Sequence, residues 1–225
     1  MPWPRPESRP DDAVLVCGLG RFGAATADAL SRLGLDVLAV DRDPRLVQDW
    51  AGRLTRVVEA DTTNLEALRQ LGVGDFPVAI VGIGTSVESS VLTVSNLVDL
   101  KIGQIWAKAI TPAHGRILER IGAHRVVYPE ADAGGRVAHL VSGRLLDYME
   151  VEGGFAVVKM RPPAEMQGFS LTQSAVRRKY GVTVVGVKAP GQEFTYATPE
   201  TVVSEHDLLL VAGQSELLER LAARP

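Results

Sequence analysis

Three glycines and an acid are the residues of this chain best spaced for chemistry: Gly18-x-Gly20-x-x-Gly23, and Asp41. An apolar run from Ala13 to Cys17, with the look of a buried strand, leads straight into the first glycine. A second run, Val37-Leu38-Ala39-Val40, ends in Asp41, twenty-one residues beyond Gly20. The first glycine allows a tight strand-to-helix turn and the second lets a phosphate approach the backbone. The third lets the following helix pack against the strand. That helix turns unsatisfied N–H groups and the positive end of its dipole towards the phosphates. Asp41 can accept hydrogen bonds from ribose hydroxyls and would repel a 2′-phosphate. The spacing alone also suits a turn that binds nothing. Strand, helix and acid together point to nucleotide binding.

Arg21 departs from a plain dinucleotide fingerprint. Placed between the second and third glycines, its guanidinium can reach a terminal phosphate bidentately, which favours ATP or ADP over a buried diester. An arginine lying in solvent over the helix start is the alternative. Asp61 and Thr62, at the end of a third strand, fall at the expected edge of an adenine pocket, or simply cap a helix. Gly82 and Gly84 follow the fourth strand, where ligands bind in open α/β sheets. Lys108, ending the fifth, supplies a further cation. Of the histidines, His114, His124, His139 and His206, none falls in an acid–base constellation, and each is expected at a surface or interface. The expected role is therefore binding without turnover, not enzymatic.

Positioning these residues requires a parallel sheet, and the chain alternates accordingly. Strands at Ala13–Cys17, 37–41, 55–60, 78–81, 105–110 and 125–128 alternate with helices. Asp43-Pro44 and Thr111-Pro112 open two of those helices as cap and first residue. The helix over 87–100 is apolar on more than one face, which suits either burial in the core, the reading preferred, or half-burial in a subunit contact. Glu130 opens another helix, expected to run to about Tyr148 with Gly134-Gly135 weakening its middle. After it come a strand at 155–160, one helix holding Leu171, Ala175, Val176 and Tyr180, strands at 182–187 and 208–211, and a last helix capped by Ser215.

At 225 residues, with 46% apolar content and mean hydropathy of +0.08, the chain is large enough for one larger and one smaller domain. A net charge of −3 gives no basis for nucleic-acid binding. No apolar run approaches the ~20 residues that span a bilayer, and the proline-broken start lacks a signal-peptide core. Cys17 reads as a small buried hydrophobe suited to a reducing cytosol. Residues 1–11 read as a disordered tail.

With these residues in hand, the chain resembles the RCK family, regulators of potassium conductance, of the Ktr/Trk type. The resemblance rests on 16-VCGLGRFG-23, Leu38-Ala39-Val40-Asp41, Trp106-Ala107-Lys108-Ala109, Leu118 to Ala123 and Tyr128-Pro129-Glu130. Val176 to Gly181 and Asp207 to Val211 carry it in the second half. The implied fold class is α/β: a Rossmann-like doubly wound parallel sheet (12–130), a linker or crossover helix (131–150) and a small α+β C-terminal RCK domain (151–225). The resemblance implies a cytoplasmic gating subunit at the inner face of the membrane, forming dimers and an octameric ring beneath a potassium-translocating subunit. ATP and ADP would occupy the glycine site, contacted by Gly18, Gly20, Arg21, Phe22, Gly23, Asp41, Asp61, Thr62, Gly82, Gly84 and Lys108. NAD(H) is a competing ligand. Glu130 would bind a divalent cation, magnesium or calcium, between subunits, or else complement the charge of its helix. Cyclic di-AMP could bind the C-terminal domain near Val176-Arg177 and Pro199. An NAD(H)-binding redox sensor or NAD-dependent oxidoreductase is the alternative function.

Overall fold

Six short runs pair in parallel because most are apolar on both faces and so must be covered on both. They are β1 (Ala13–Cys17), β2 (Asp36–Asp41), β3 (Arg56–Glu59), β4 (Val78–Val81), β5 (Gln104–Lys108) and β6 (Arg125–Val127). Their order is β3-β2-β1-β4-β5-β6, the doubly wound order with its switch point between β1 and β4. Leu15 lies level with Leu38 of β2 and Ala79 of β4. The computed structural model describes residues 13–141 and 144–224; the tail expected over residues 1–11 lies outside them.

Alternate residues of β1 sort the helices into two layers. Val14 and Val16 pack with Ala24 and Ala27 of α1 (Arg21–Arg32), and Leu46 and Trp50 of α2 (Pro44–Trp50) lie against the same cluster. Leu15 and Cys17 face the other way, onto a cluster with Leu68 of α3 (Leu65–Gln70), Val94 and Leu97 of α4 (Val87–Asp99), and Leu118 of α5 (Pro112–Ile121). Burial pushes the Cys17 thiol up to about 12, so it is a core residue with no thiolate character near neutrality. Asp43 and Thr111 cap α2 and α5 as expected, each followed by proline. In α4 the buried stripe is Ser90, Thr93, Val94 and Leu97, while Val87, Leu92 and Val98 stay exposed. Only part of its apolar surface is therefore core.

Compact packing divides the chain between Glu130 and Ala131. The second unit differs from expectation at its start. The helix α6 covers Pro129–Val141, passing through Gly134 and Gly135, but does not reach Tyr148. Instead β7 (Leu145–Glu152) forms a hairpin with β8 (Phe155–Met160). The two-residue turn is Gly153-Gly154, both with positive φ (59° and 77°), the conformation that matches strand twist in tight hairpins. Ser215 holds this turn: its N–H and its hydroxyl both donate to Gly154 O, each at 2.8 Å, and Tyr148 OH lies 2.8 Å from Ser215 Oγ.

An antiparallel sheet of order β10-β9-β11-β8-β7 results, with β9 (Thr183–Lys188), the short β10 (Thr195–Tyr196) and β11 (Leu208–Gln214). Its core includes Leu145, Val158, Met160, Leu209 and Val211 with Leu218 and Leu221 of α9 (Ser215–Ala222). The single helix expected over 171–180 is two, α7 (Leu171–Ser174) and α8 (Val176–Tyr180), broken where Ala175 takes φ 48°. Gln214, not Ser215, is the cap residue of α9.

His114 is a further departure: it is buried, not at a surface. Gly115 beside it lets α5 press onto Tyr128, whose hydroxyl occupies the space a side chain at 115 would need. Nδ1 accepts from Ile110 N–H at 3.4 Å and, among the described residues, Nε2 has no partner. Burial holds its pKa below the usual imidazole value. The unfolded chain therefore binds this proton first. The stability it withholds is present above the unfolded pKa of about 6.5 and is lost as pH falls below it. Urea midpoints should drop between pH 7.5 and 5.5, and His114→Asn should flatten that drop; an equal slope in the variant would acquit His114. A methyl group on Gly23 would be driven into Gly18 O, so Gly23→Ala should cost about 2 kcal/mol or more in the same assay, and an unchanged midpoint would mean the loop can yield.

Candidate nucleotide site

The glycines of the first loop serve two different masters. Gly18 sits at φ +95°, where its N–H donates to Val40 O at 2.7 Å; a side chain there is strained and would meet Ile83. Gly23 and Gly82 meet backbone to backbone: a Cβ on Gly82 would lie 3.0 Å from Gly23 Cα and 3.3 Å from Gly18 O. These three are demanded by the fold itself. Gly20 is not. Its φ of −62° suits any residue, and a Cβ there would meet nothing within 4 Å. It caps α1 without a side chain, and no acid lies in the first turn. The helix N-terminus is thus left free for an anion.

A cleft of about 340 Å³ opens over the switch point. Gly18, Gly20, Asp41, Asp61, Thr62, Gly82 and Gly84 line it. Asp41 is already engaged: Oδ2 accepts from Leu19 N–H at 2.6 Å and Oδ1 from Asp43 N–H at 2.8 Å. It ties the end of β2 to the glycine loop, and each oxygen keeps lone-pair capacity for a hydroxyl. Asp61 accepts from the N–H and hydroxyl of Thr63, which hold its carboxyl below the usual range. It caps no helix, since Asn64 caps α3. Thr62 is buried, its hydroxyl 2.8 Å from that of Thr93, and its carbonyl accepts from Asn96. Its side chain is engaged with α4.

Sequence reasoning missed Arg42, Asp43, Thr63, Thr85 and Ser89 on the cleft wall. The signal available was adjacency: Arg42 and Asp43 follow Asp41, and Thr85 and Ser89 follow Gly84. Arg45, beside them, is held by Asp43 through two bonds of 3.1 and 2.8 Å, and that contact keeps the Asp43 carboxyl low.

Arg21, Phe22, Gly23, Lys108 and Glu130 do not line the cleft but group at the glycine end of it. The buried Lys108 runs past Gly84, where a Cβ would lie 3.1 Å from Nζ, and its ammonium is 5.9 Å from the Phe22 ring centre. Lys108 Nζ pairs with Glu130 Oε1 at 2.6 Å. That contact, with a smaller contribution from Arg21, holds the Glu130 carboxyl below the usual range. Among the described residues no group of three or more His, Cys, Asp and Glu is placed to hold a metal ion. One carboxylate already paired with a lysine does not by itself make a cation site. In the second unit, Pro199 O accepts from the N–H and hydroxyl of Thr172, which ties the Pro199 turn to α7, whereas Val176-Arg177, the other segment named for a cyclic dinucleotide, opens α8. Val176 itself is buried.

The first unit matches the TrkA-N domain model over residues 14–129 and the second the TrkA-C domain model over 155–224. Ktr system potassium uptake protein A of Bacillus subtilis (strain 168) is 34% identical over 206 residues, 91% of this chain and 93% of that protein. Ktr system potassium uptake protein C of the same organism is 33% identical over 210 residues, 93% and 95% of the two chains. Among solved structures, the GsuK channel bound to NAD aligns with a TM-score of 0.65 at 21% identity. The match takes in 99% of this chain but only 41% of that one, so this chain spans less than half its length. GsuK bound to ADP aligns with a TM-score of 0.51 at 23% identity, over 60% of this chain and 35% of that one. These structures speak for the fold alone. Among the described residues no helix is long and apolar enough to cross a membrane. The chain belongs to the TrkA, or RCK, family of Ktr- and Trk-type potassium uptake proteins, with a TrkA-N domain followed by a TrkA-C domain.

Proposed function

We propose that this chain is the cytoplasmic, nucleotide-binding gating subunit of a potassium uptake system. Its relatives in Bacillus subtilis are named as potassium uptake proteins, which supports a membrane-embedded potassium-translocating partner; self-association into dimers and an octameric ring is a further part of the proposal. The observation that carries the nucleotide reading is Gly20. The fold has no need of a glycine there, yet one stands where the helix N-terminus meets the cleft. A phosphate is the group that such a gap admits.

ATP and ADP are the proposed ligands, with the ribose on Asp41, the adenine towards Asp61 and Thr62, and the phosphates over Gly20 near Arg21 and Lys108. Gating then requires that the two nucleotides bind two ring shapes with different affinity. The neighbours solved with NAD and ADP support an adenine-containing ligand and keep NAD(H) in the comparison. A divalent cation at Glu130 needs a second chain to complete its ligands. A cyclic di-AMP site remains a proposal for the segments around Arg177 and Pro199.

Calorimetric titration with ATP, ADP and NADH tests this reading. Arg21→Ala should weaken ATP on the order of ten- to a hundredfold, the loss of about 1.5–3 kcal/mol of charge-assisted contact, and leave NADH nearly unchanged. Tight NADH binding with no effect of Arg21→Ala would instead move a redox-sensing role ahead. Gly20→Ala makes a complementary test: stability should change by less than about 1 kcal/mol, while nucleotide binding is lost. Retained binding in that variant would remove the observation on which the site rests.

A further inference from the structure

Lys108 and Glu130 are unequal partners. Lys108 is buried, 8% exposed as a residue, whereas the Glu130 side chain is 60% exposed. Leaving a buried ammonium without a counter-charge is costly. Returning an exposed carboxylate to water costs little. The lysine can therefore release Glu130 only when another anion takes its place. The Lys108 ammonium also reaches the position above Gly84, a cleft residue at the switch point, so a second anion could approach it from the cleft side. Arg21 is a second cation acting on the same carboxylate.

We propose, resting on the nucleotide reading above, that Glu130 is a built-in competitor for the phosphate end of the cleft. Its carboxylate occupies Lys108 while no nucleotide is bound, and a nucleotide phosphate oxygen displaces it. Partner exchange detaches the first turn of α6 from the sheet, because Glu130 is the second residue of that helix. Pro129 and Glu130 belong to the first unit and the rest of α6 to the second, so the exchange acts on the stretch of chain that joins them.

The test is titration of the full chain with ATP and ADP in a chelating buffer, which removes any contribution of divalent cations. Glu130→Gln should bind ATP roughly three- to tenfold tighter than the wild type, the scale of a partly exposed ion pair. Asp132→Asn removes an equal charge close by in α6 and should match the wild type. Hydrogen exchange across residues 131–138 should rise on ATP addition in the wild type and change little in Glu130→Gln. Unchanged or weaker ATP binding by Glu130→Gln, an equal gain in Asp132→Asn, or ATP-induced protection of that stretch would overturn the competitor while leaving the nucleotide reading intact. Failure of the wild type and both variants to bind would overturn the two together. Binding by Glu130→Gln alone would support both.

Discussion

The close approach of three backbone segments, at Gly18, Gly23 and Gly82, is the constraint on which the first unit depends. With no Cβ at any of them, the start of α1 lies directly against the ends of β1 and β4. That approach sets the helix over the switch point and lets Gly82 N–H donate to Cys17 O at 2.8 Å. A side chain at Gly23 or Gly82 would lift α1 away from the sheet and open the cleft floor. The hydrophobic layers on either side, Val14 and Val16 against α1, Leu15 and Cys17 against α4, then fix the helix against rotation.

Electrostatics follows from that placement. With α1 seated, its free N–H groups point over the end of β1, and Asp41 is brought within 2.6 Å of Leu19 N–H. One carboxylate thus fixes the loop before any ligand arrives, which lowers the ordering cost of binding. On the far side of the loop the balance is reversed: Arg21 and Lys108 supply two cations against the single carboxylate of Glu130. The site presents an acid where ribose hydroxyls would donate and a net positive end where phosphates would lie. On the proposed reading, this polarity would give a nucleotide one orientation.

Much of this was legible in the sequence, for physical reasons that also explain where legibility stopped. The central strands read clearly because parallel strands covered on both faces are continuous apolar runs, and because proline and glycine mark the ends of most helices between them. Asp41 and the glycines read clearly because their spacing is dictated by a turn and a strand length. The stretch at 145–148 misled because Leu145 and Tyr148 are three apart and both buried, a helical spacing. A register shift between Leu145 and Asp147 places both on the inner face of a strand, so an irregular strand copied the helix period. The Glu152-Gly153-Gly154-Phe155 turn was the available correction. The break at Ala175 left no comparable mark, since an alanine at positive φ is imposed by packing and not by its own preference. His114 misled for the converse reason: a histidine near a helix start reads as exposed, whereas this one is buried with Nδ1 accepting from Ile110 N–H, on a helix whose next residue, Gly115, packs against Tyr128.

The same distinction, between residues the fold requires and residues it merely tolerates, separates structure from function in this site. Gly18, Gly23 and Gly82 are fully accounted for by backbone conformation and contact, and carry no information about a ligand. Thr62 is accounted for by Thr93 and Asn96. Among the described residues no contact of the fold calls for a glycine at 20, and Arg21 beside it bears on the chain through its charge on Glu130; the two adjoin at a helix N-terminus that opens onto the cleft. A lysine buried against the same loop and neutralised by one exposed acid is intermediate: the fold satisfies it, but by a partner that water can reclaim. On the proposed reading, residues of the first kind only shape the cleft, the second kind would select the ligand, and the intermediate kind would carry the chain's response to it.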